Sequence, residues 1–197
     1  MNTVRIIPDR YPSNPRDNDN ICLMACAHGR YDLGDDNAKF VLAEKLEVSQ
    51  HNHSLQELVE MADNKGLIFA MKPLYMYDHG GQTVATTPFS CSFDSGQIGV
   101  VIIFKETIKQ EFGVKRFGKN IITKMTERAN LIIEAEVKEY DAYISGNYYS
   151  LEIIDSDGEV EETISGFIGY NAAENGMLEC VSNEMREHVL NAVPEYA

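Results

Sequence analysis

The apolar run Ile98–Phe104 (IGVVIIF) constrains the fold more than any other part of this sequence. It shows no alternation of polar and apolar residues, so it predicts a strand that is covered on both faces inside a sheet. Leu74–His79, earlier in the chain, is rich in aromatic residues and also favours a strand. Gly80-Gly81 follows directly and predicts a two-residue hairpin loop, because such loops need a positive φ. We therefore expect a mostly antiparallel sheet centred on Ile98–Phe104.

The other elements follow from local patterns. Further strands are predicted at Thr3–Ile7, Ile21–Ala27, Leu67–Ala70 and Gln82–Thr87. The first predicted helix is Asn37–Glu47, capped by Asp35 or Asp36. The second begins at Ser54, which forms a capping box with Glu57, and ends at Gly66. Further helices are predicted at Glu106–Phe112, Asn120–Ile144 and Gly176–Val193. Tyr148–Ile154 and Val160–Ile168 are predicted to pair as a hairpin around Asp157-Gly158.

These elements predict an α+β fold: a mostly antiparallel sheet with four or five flanking helices and a C-terminal hairpin plus helix. The helical period places Phe40 on the inner face of the first helix and Ile122 on that of the long helix. A chain of 197 residues suits a single domain, 1–197, with 105–120 as the place where it could subdivide.

The charge is large and unevenly distributed. The formal net charge is −14, of which residues 134–197 hold 2 basic and 15 acidic side chains. Residues 105–133 hold 7 basic and 3 acidic side chains and are the only basic part of the chain. An acidic surface repels phosphate and attracts basic partners, although it also serves simply to keep a protein soluble.

Nothing in the sequence predicts a membrane segment or a secretory signal. The apolar runs are far shorter than a bilayer requires, and MNTVRIIPDRYP lacks the apolar core of a signal peptide. Four cysteines in a chain of this length do not require a disulfide framework. The expected location is therefore a reducing cytoplasm.

The segment Cys22-x3-Cys26-x-His28 contains residue types that bind zinc, but a structural zinc site needs four ligands. The remaining ligands would come from His51 and His53, or from Cys91 with His79. The alternative is that both cysteines lie on one face of a buried strand as small hydrophobic residues. We favour this alternative and predict no metal and no cofactor.

Three polar loops, at residues 28–36, 78–81 and 86–96, contain the residues that could carry out chemistry. General acid–base or thiol chemistry needs such groups within hydrogen-bond reach, so the loops would have to meet at one rim of the sheet. Asp and Gly are also the residues that turns require, and both interpretations stay open at this stage. The candidate catalytic residues are His28, Asp32, Asp78, His79, Cys91 and Asp94.

The basic segment Lys105–Arg128 is the only place that suits a phosphate. It contains no glycine-rich phosphate loop and no aromatic residues spaced for base stacking. We therefore interpret it as the exposed face of two helices and expect no direct binding of nucleic acid.

Four blocks resemble a family of small proteins encoded by bacteriophages and integrated elements. They are HGRYDLGD (His28–Asp35), PLYMYDHG (Pro73–Gly80), TTPFSCSFDSGQIG (Thr86–Gly99) and EVKEYDAYISG (Glu136–Gly146). The family patterns read HRRYNLGD, LYxYDHSG, TxPFSCxWDSGxxG and EVxxYDxYLxG, and SGFIG (Ser165–Gly169) is similar to a further CWGFYG block. This chain departs from the family at Gly29 and Phe93, where the patterns have Arg and Trp. The family is uncharacterised, so the resemblance implies a viral source and no reaction.

A phage source together with the acidic C-terminal third favours an accessory protein over an enzyme. By analogy, small acidic phage proteins without a catalytic signature act by binding host proteins. The sequence therefore predicts a counter-defence or host-takeover inhibitor, of anti-restriction or anti-CRISPR type, that occupies the basic groove of a nucleic-acid-dependent host protein. The predicted contact residues are Glu152, Asp155, Asp157, Glu159, Glu161 and Glu162. The alternative is a small enzyme or small-ligand binder that uses the three loops.

Overall fold

The computed structural model describes residues 2–195. The strands are β1 (Thr3–Pro8), β2 (Leu23–Cys26), β3 (Ile68–Asp78), β4 (Gln82–Ala85), β5 (Ser95–Phe104), β6 (Tyr148–Ile154) and β7 (Val160–Ile168). The α-helices are α1 (Ala38–Leu46), α2 (Leu55–Asn64), α3 (Lys105–Phe112), α4 (Lys119–Ile144) and α5 (Arg186–Asn191). Short 3₁₀ turns lie at Pro15–Asp17, Gln50–Asn52 and Met177–Cys180.

The chain forms two compact units. One comprises the residues up to Pro15 together with those from Glu139 onward, and the other comprises Arg16–Lys138. Each unit has its own sheet, in which all strand pairs are antiparallel. The predicted α+β class is confirmed. Residues 105–120 lie wholly inside the second unit, and the single-domain assignment stays a prediction.

The larger unit is built on a four-stranded sheet of order β2-β5-β3-β4. The apolar run forms most of β5, which pairs with β2 on one side and β3 on the other, so its predicted position inside a sheet is confirmed. One face of the sheet is covered by α1 and α2 through a core that includes Leu42, Leu58 and Ile102, all fully buried. On α4, Glu134 accepts hydrogen bonds from Lys72 of β3 and from Thr86, at 2.7 Å each.

Two predictions for this sheet need correction. The two predicted strands Leu67–Ala70 and Leu74–His79 form one continuous strand, β3 (Ile68–Asp78), and Pro73 lies within it opposite Val100. The turn from β3 to β4 has three residues, since Asp78 pairs with Gln82. Gly80 has φ +72° and provides the positive φ of this loop.

Strand β2 is at the edge of its sheet, and side chains bind the backbone groups on its outer side. The N–H of Met24 donates to Asp35 Oδ2 at 2.8 Å, and its carbonyl accepts from the Asp35 N–H at 2.9 Å. The N–H of Cys22 donates to both carboxylate oxygens of Glu136, and its carbonyl accepts from Arg16 at 2.7 Å. These contacts thus satisfy backbone N–H and C=O groups that would otherwise hydrogen-bond to another strand, and they come from Asp35, Glu136 and Arg16.

Arg16 joins the two carboxylates of this cluster. Its Nε lies 2.7 Å from Asp35 Oδ1 and its Nη1 lies 2.8 Å from Glu136 Oε2, with only 3% of the side chain exposed. Burial alone lowers the pKa of Arg16, but its hydrogen bonds to Asp35 and Glu136 outweigh this effect and raise that pKa. The guanidinium is therefore held charged between two largely buried carboxylates.

The loop before α1 can lie against β2 only because residue 34 is glycine. Gly34 has φ +74°, and a Cβ there would overlap the Met24 carbonyl oxygen and lie 2.8 Å from Cys26 Sγ. This close approach places Asp35 beside Met24 and Arg16. Asp35 was one of the two predicted caps for the first helix, but the residue before α1 is Asn37, which makes no side-chain cap.

The smaller unit contains the three-stranded sheet β1-β6-β7. The predicted hairpin is confirmed: β6 pairs with β7 around the turn at Asp157-Gly158. Its core contains Ile6, Leu151, Phe167, Met177 and Val189. The strands and the C-terminal segment thus share one buried cluster.

Three helix predictions are corrected by exposure or conformation. Phe40 on α1 is 54% exposed and Ile122 on α4 is 43% exposed, so neither belongs to the inner face. The predicted helix Gly176–Val193 is replaced by a 3₁₀ turn and the six-residue α5. Gly176 has φ +88° and Val181 is extended, which interrupts any continuous helix.

The capping box of Ser54 and Glu57 on α2 is confirmed.

No helix within residues 2–195 is long and apolar enough to cross a membrane.

We predict that Arg16→Met strongly destabilises the protein. The substitution leaves two largely buried carboxylates without their cation, which costs about 3–5 kcal/mol in free energy of unfolding. Urea denaturation followed by circular dichroism measures this loss. Arg10→Met is the matched control, because Arg10 is exposed and its replacement should cost less than about 0.5 kcal/mol. Equal stability of the two variants would contradict the structural role of the cluster.

Candidate functional site

The three polar loops meet where the strands of the larger sheet end, and not along its outer strand. His28 follows the end of β2, His79 follows the end of β3, and Asp94 precedes the start of β5. Because β5 is antiparallel to both neighbours, its start lies beside their ends. We call the side chains of residues 28–32, 78–79 and 89–94 the loop rim.

Asp78 and Asp94 connect the loops. Asp78 Oδ2 accepts from Arg30 Nη2 at 2.7 Å and from the Tyr31 hydroxyl at 3.2 Å. His79 Nδ1 lies 3.3 Å from Asp94 Oδ2, and the Asp78 N–H donates to the Asp94 carbonyl at 2.8 Å. The candidate residues Asp78, His79 and Asp94 are thus brought together by direct contacts.

The other candidates differ in how closely they join this group. The His28 ring stacks on Tyr31 with 5.1 Å between ring centroids, and its Nδ1 accepts from the Arg30 N–H. Cys91 Sγ lies 3.8 Å from Asp94 Oδ2. Asp32 is exposed. Five of the six candidates are therefore joined by a chain of contacts, and Asp32 is an exposed member of the same loop rim.

The contacts at Cys91 do not have the geometry of an activated nucleophile. In such sites an imidazole contacts the nucleophile, and a third group orients that imidazole. Here the carboxylate of Asp94 contacts both the Cys91 thiol and the His79 imidazole. Asp94, rather than His79, is the group positioned against the thiol.

The loop rim is open to solvent. The side chains of Arg30 and His79 are each 70% exposed, whereas those of Asp78 and Asp94 are 20% and 34% exposed. An exposed ion pair such as Arg30–Asp78 contributes only about 0.2–1 kcal/mol. Beside these groups Tyr77 packs on Phe89 at 5.8 Å, and Phe93 is 97% exposed. The arrangement resembles a contact surface, where aromatic and arginine side chains provide most of the binding energy.

The residues considered as zinc ligands do not form a metal site. Within the described part of the chain, no group of three or more His, Cys, Asp or Glu side chains is arranged to hold a metal ion. Cys22 is buried and Cys26 is partly buried, and both lie on the strand edge that the Arg16 cluster covers. Burial, and then the charge of Glu136, raise the pKa of the Cys22 thiol. Burial, and then the charge of Asp35, raise the pKa of Cys26 to about 12.

Two of the six predicted partner-binding carboxylates have structural roles in the smaller unit. Glu152 accepts from Arg5 at 2.6 and 2.8 Å, and its side chain is 12% exposed. Asp155 Oδ1 accepts from the backbone N–H groups of Asp157 and Glu159 and so shapes the hairpin turn. These two carboxylates are already engaged within the chain.

The other four predicted carboxylates lie on the exposed side of the hairpin. Asp157 and Glu159 are in the turn, and Glu161 and Glu162 are on β7, a strand at the edge of its sheet. Glu161 accepts a hydrogen bond from Asn2 at 2.8 Å, in an exposed position. Charged side chains also protect edge strands from pairing with other chains, which is the structural alternative for Glu161 and Glu162.

Sequence reasoning missed the Arg16 cluster. Arg16 lies in a loop with three prolines, and nothing in its local sequence marks it as buried. The only available signal was Glu136, a carboxylate on the otherwise apolar inner stripe of α4. A charged residue at such a position indicates a buried partner, but not which residue provides it.

No protein-family model, no curated protein and no solved structure matches this chain. The resemblance to the phage family therefore stays a prediction, and the function must be inferred from the residues of the site.

We predict that only two of the four thiols react in the folded protein. Cys91 and Cys180 are exposed, whereas Cys22 and Cys26 have raised pKa values because of burial. Iodoacetamide at about pH 8, followed by peptide mass spectrometry, should modify the first pair and spare the second. Unfolding in urea should make all four reactive. Fast labelling of Cys22 in the native protein would contradict the described edge of β2.

Proposed function

We propose that this protein is a phage-type counter-defence or host-takeover inhibitor that acts in the host cytoplasm. It binds a nucleic-acid-dependent host protein, such as a restriction or CRISPR nuclease, and occupies the basic groove that would hold the nucleic acid. The exposed carboxylates Asp157, Glu159, Glu161 and Glu162 make the contact. In this proposal the protein is not an enzyme and does not itself bind nucleic acid.

The separation of charge between the two units supports the proposal. The unit formed by residues 1–15 and 139–197 contains three Lys/Arg and 14 Asp/Glu side chains, whereas Arg16–Lys138 contains 14 and 17. The smaller unit therefore carries −11 of the net charge of −14. A basic groove that binds phosphates is complementary to a compact unit of this charge.

The position of the carboxylates on the hairpin also supports this mechanism. Residues 156–163 are all exposed, and the hydrogen bonds of Asp155 hold the turn in one conformation. A preorganised surface loses less conformational entropy when it binds. Binding should then weaken steeply as the salt concentration rises, because long-range attraction between charged surfaces is screened.

We predict that reversing these four charges abolishes inhibition. The variant Asp157→Lys/Glu159→Lys/Glu161→Lys/Glu162→Lys should lose protection of an incoming phage in a host that expresses a restriction or CRISPR system. Plating efficiency measures the protection, and circular dichroism checks the fold. The matched control reverses four exposed carboxylates of the same unit outside the hairpin, Glu174, Glu179, Glu184 and Glu187.

The control variant changes the net charge by the same amount. It therefore distinguishes an effect of the hairpin surface from an effect of the protein's total charge. Protection by the control but not by the hairpin variant is the expected result. Equal protection by both variants would contradict the assigned surface, and no protection by the unmodified protein in any such host would contradict the proposed function.

The contacts at the loop rim favour a second candidate, a small-ligand or enzyme site. Three separate loops converge on Asp78 and Asp94, and exposed Arg30 and His79 could bind an anionic ligand there. The alternative is that these contacts only fix the loops, because none of the groups lies deep in the protein.

We predict that His79→Ala leaves both the fold and the phage phenotype unchanged, since the side chain is 70% exposed. Thermal unfolding and the same plating assay measure the two properties. A folded His79→Ala variant that has lost protection would overturn this expectation and favour the loop rim as the functional site. His188→Ala is the matched control, because His188 is also exposed but lies on α5.

A further inference from the structure

The only basic part of the chain surrounds a shallow apolar hollow in the larger unit. The hollow has a volume of about 570 Å³ and lies between the end of α3 and the first turns of α4. Its apolar side chains are Phe112, Val114, Ile121 and Met125, and its basic ones are Lys115, Arg116 and Lys124. A hollow of this size is typical of ligand and peptide sites.

Among the residues that the structure describes, four other cations of the unit are paired with carboxylates, whereas the three cations at this hollow are not. Lys45 and Lys72 each pair with a glutamate, at 2.8 and 2.7 Å, and Arg16 and Arg30 are paired with carboxylates. Within residues 2–195 no ion pair engages Lys115, Arg116 or Lys124. These three cations are therefore available to an anionic partner, in a chain whose net charge is −14.

One apolar side chain of the hollow is exposed, and two others are buried beneath it. Ile121 is 41% exposed, although it is a large aliphatic residue at the start of a 26-residue helix. Val114 and Met125 form the buried floor, at 9% and 6% exposure. An apolar floor beneath a basic rim is complementary to a ligand that combines a bulky apolar group with carboxylates.

We propose that this hollow binds an acidic peptide segment of a partner protein. A bulky apolar side chain of the segment occupies the space over Val114, Ile121 and Met125. Neighbouring carboxylates of the segment bind Lys115, Arg116 and Lys124. The site belongs to the larger unit and the acidic hairpin to the smaller one, so the protein binds two partners with opposite charge.

A peptide fits these residues better than a nucleic acid does. Single-stranded nucleic acid binds by stacking its bases on open aromatic rings, but here Arg128 lies over Phe112 at 4.5 Å and Lys109 over Phe117 at 5.8 Å. A short acidic segment stays within about one Debye length, ~8 Å at physiological salt, of the three cations.

A labelled peptide tests the proposal. The probe is a fluorescein-labelled peptide of four aspartates followed by isoleucine, proline and phenylalanine, and its binding to the full protein is measured by fluorescence anisotropy. Peptides in which the aspartates become asparagine, or the phenylalanine becomes serine, should each bind about tenfold or more weakly. Raising the salt from about 50 to about 500 mM should weaken binding of the acidic peptide.

Matched variants assign the binding to the hollow. Lys115→Glu/Arg116→Glu should weaken binding about tenfold or more, whereas Lys39→Glu/Lys138→Glu makes the same change in net charge away from the hollow and should have a smaller effect. Ile121→Ser should weaken binding, whereas Ile122→Ser should not. Ile122 is 43% exposed on the same turn but does not line the hollow.

Three results would overturn the proposal. The first is no saturable binding of the acidic peptide, or binding that the hollow variants do not weaken more than their controls. The second is tighter binding of an oligothymidine of equal charge, which would indicate a phosphate site. The third is dimerisation in sedimentation experiments that Lys115→Glu/Arg116→Glu abolishes. In that case the occupant would be segment 159–162 of a second copy of the chain, in which exposed Val160 lies among three glutamates.

Discussion

The larger unit depends on the ionic cluster of Arg16, Asp35 and Glu136 at the edge of β2. An edge strand needs partners for its outward N–H and C=O groups, and here side chains from a loop and a helix provide them. The cluster therefore joins three segments to one strand: the 3₁₀ turn Pro15–Asp17, the loop before α1 and the long helix α4. The net stability that such a cluster adds is small, because desolvation of the charges offsets much of their attraction, but removal of one partner leaves a buried charge uncompensated.

The same cluster determines where the loop rim lies. Asp35 and Gly34 hold the loop that begins at His28 against β2, so Arg30 and Tyr31 reach Asp78 on the neighbouring loop. Five of the predicted chemical residues then meet, but at an open edge and with Asp94 between the thiol and the imidazole.

The two units differ strongly in electrostatic character. Arg16–Lys138 carries nearly balanced charge and includes the unneutralised cations Lys115, Arg116 and Lys124, whereas the other unit carries −11. Ion pairs neutralise many charges of the larger unit internally, including Lys72 with Glu134. In the smaller unit, three basic side chains face 14 acidic ones, so most carboxylates are left to solvent or to a partner. The two proposed binding surfaces follow from this difference.

The sequence by itself determined the elements whose signals are local. The apolar run of β5, the Asp157-Gly158 hairpin and the capping box of Ser54 and Glu57 were predicted, because periodicity, turn chemistry and capping depend only on neighbouring residues. The α+β class follows from these elements, and the acidic C-terminal third follows from counting charged residues in the sequence.

Only the tertiary structure decided which charged groups are engaged. Asp35 binds Arg16 and Met24 and does not cap α1, and Glu152 binds Arg5, because partners distant in sequence compete for each carboxylate. The segment after Gly176 formed a short helix for a related reason: Met177 and Val189 pack in the core of β1 and β6, which outweighs the helical propensity of the residues between them. Long-range packing of this kind leaves no local pattern in a single sequence.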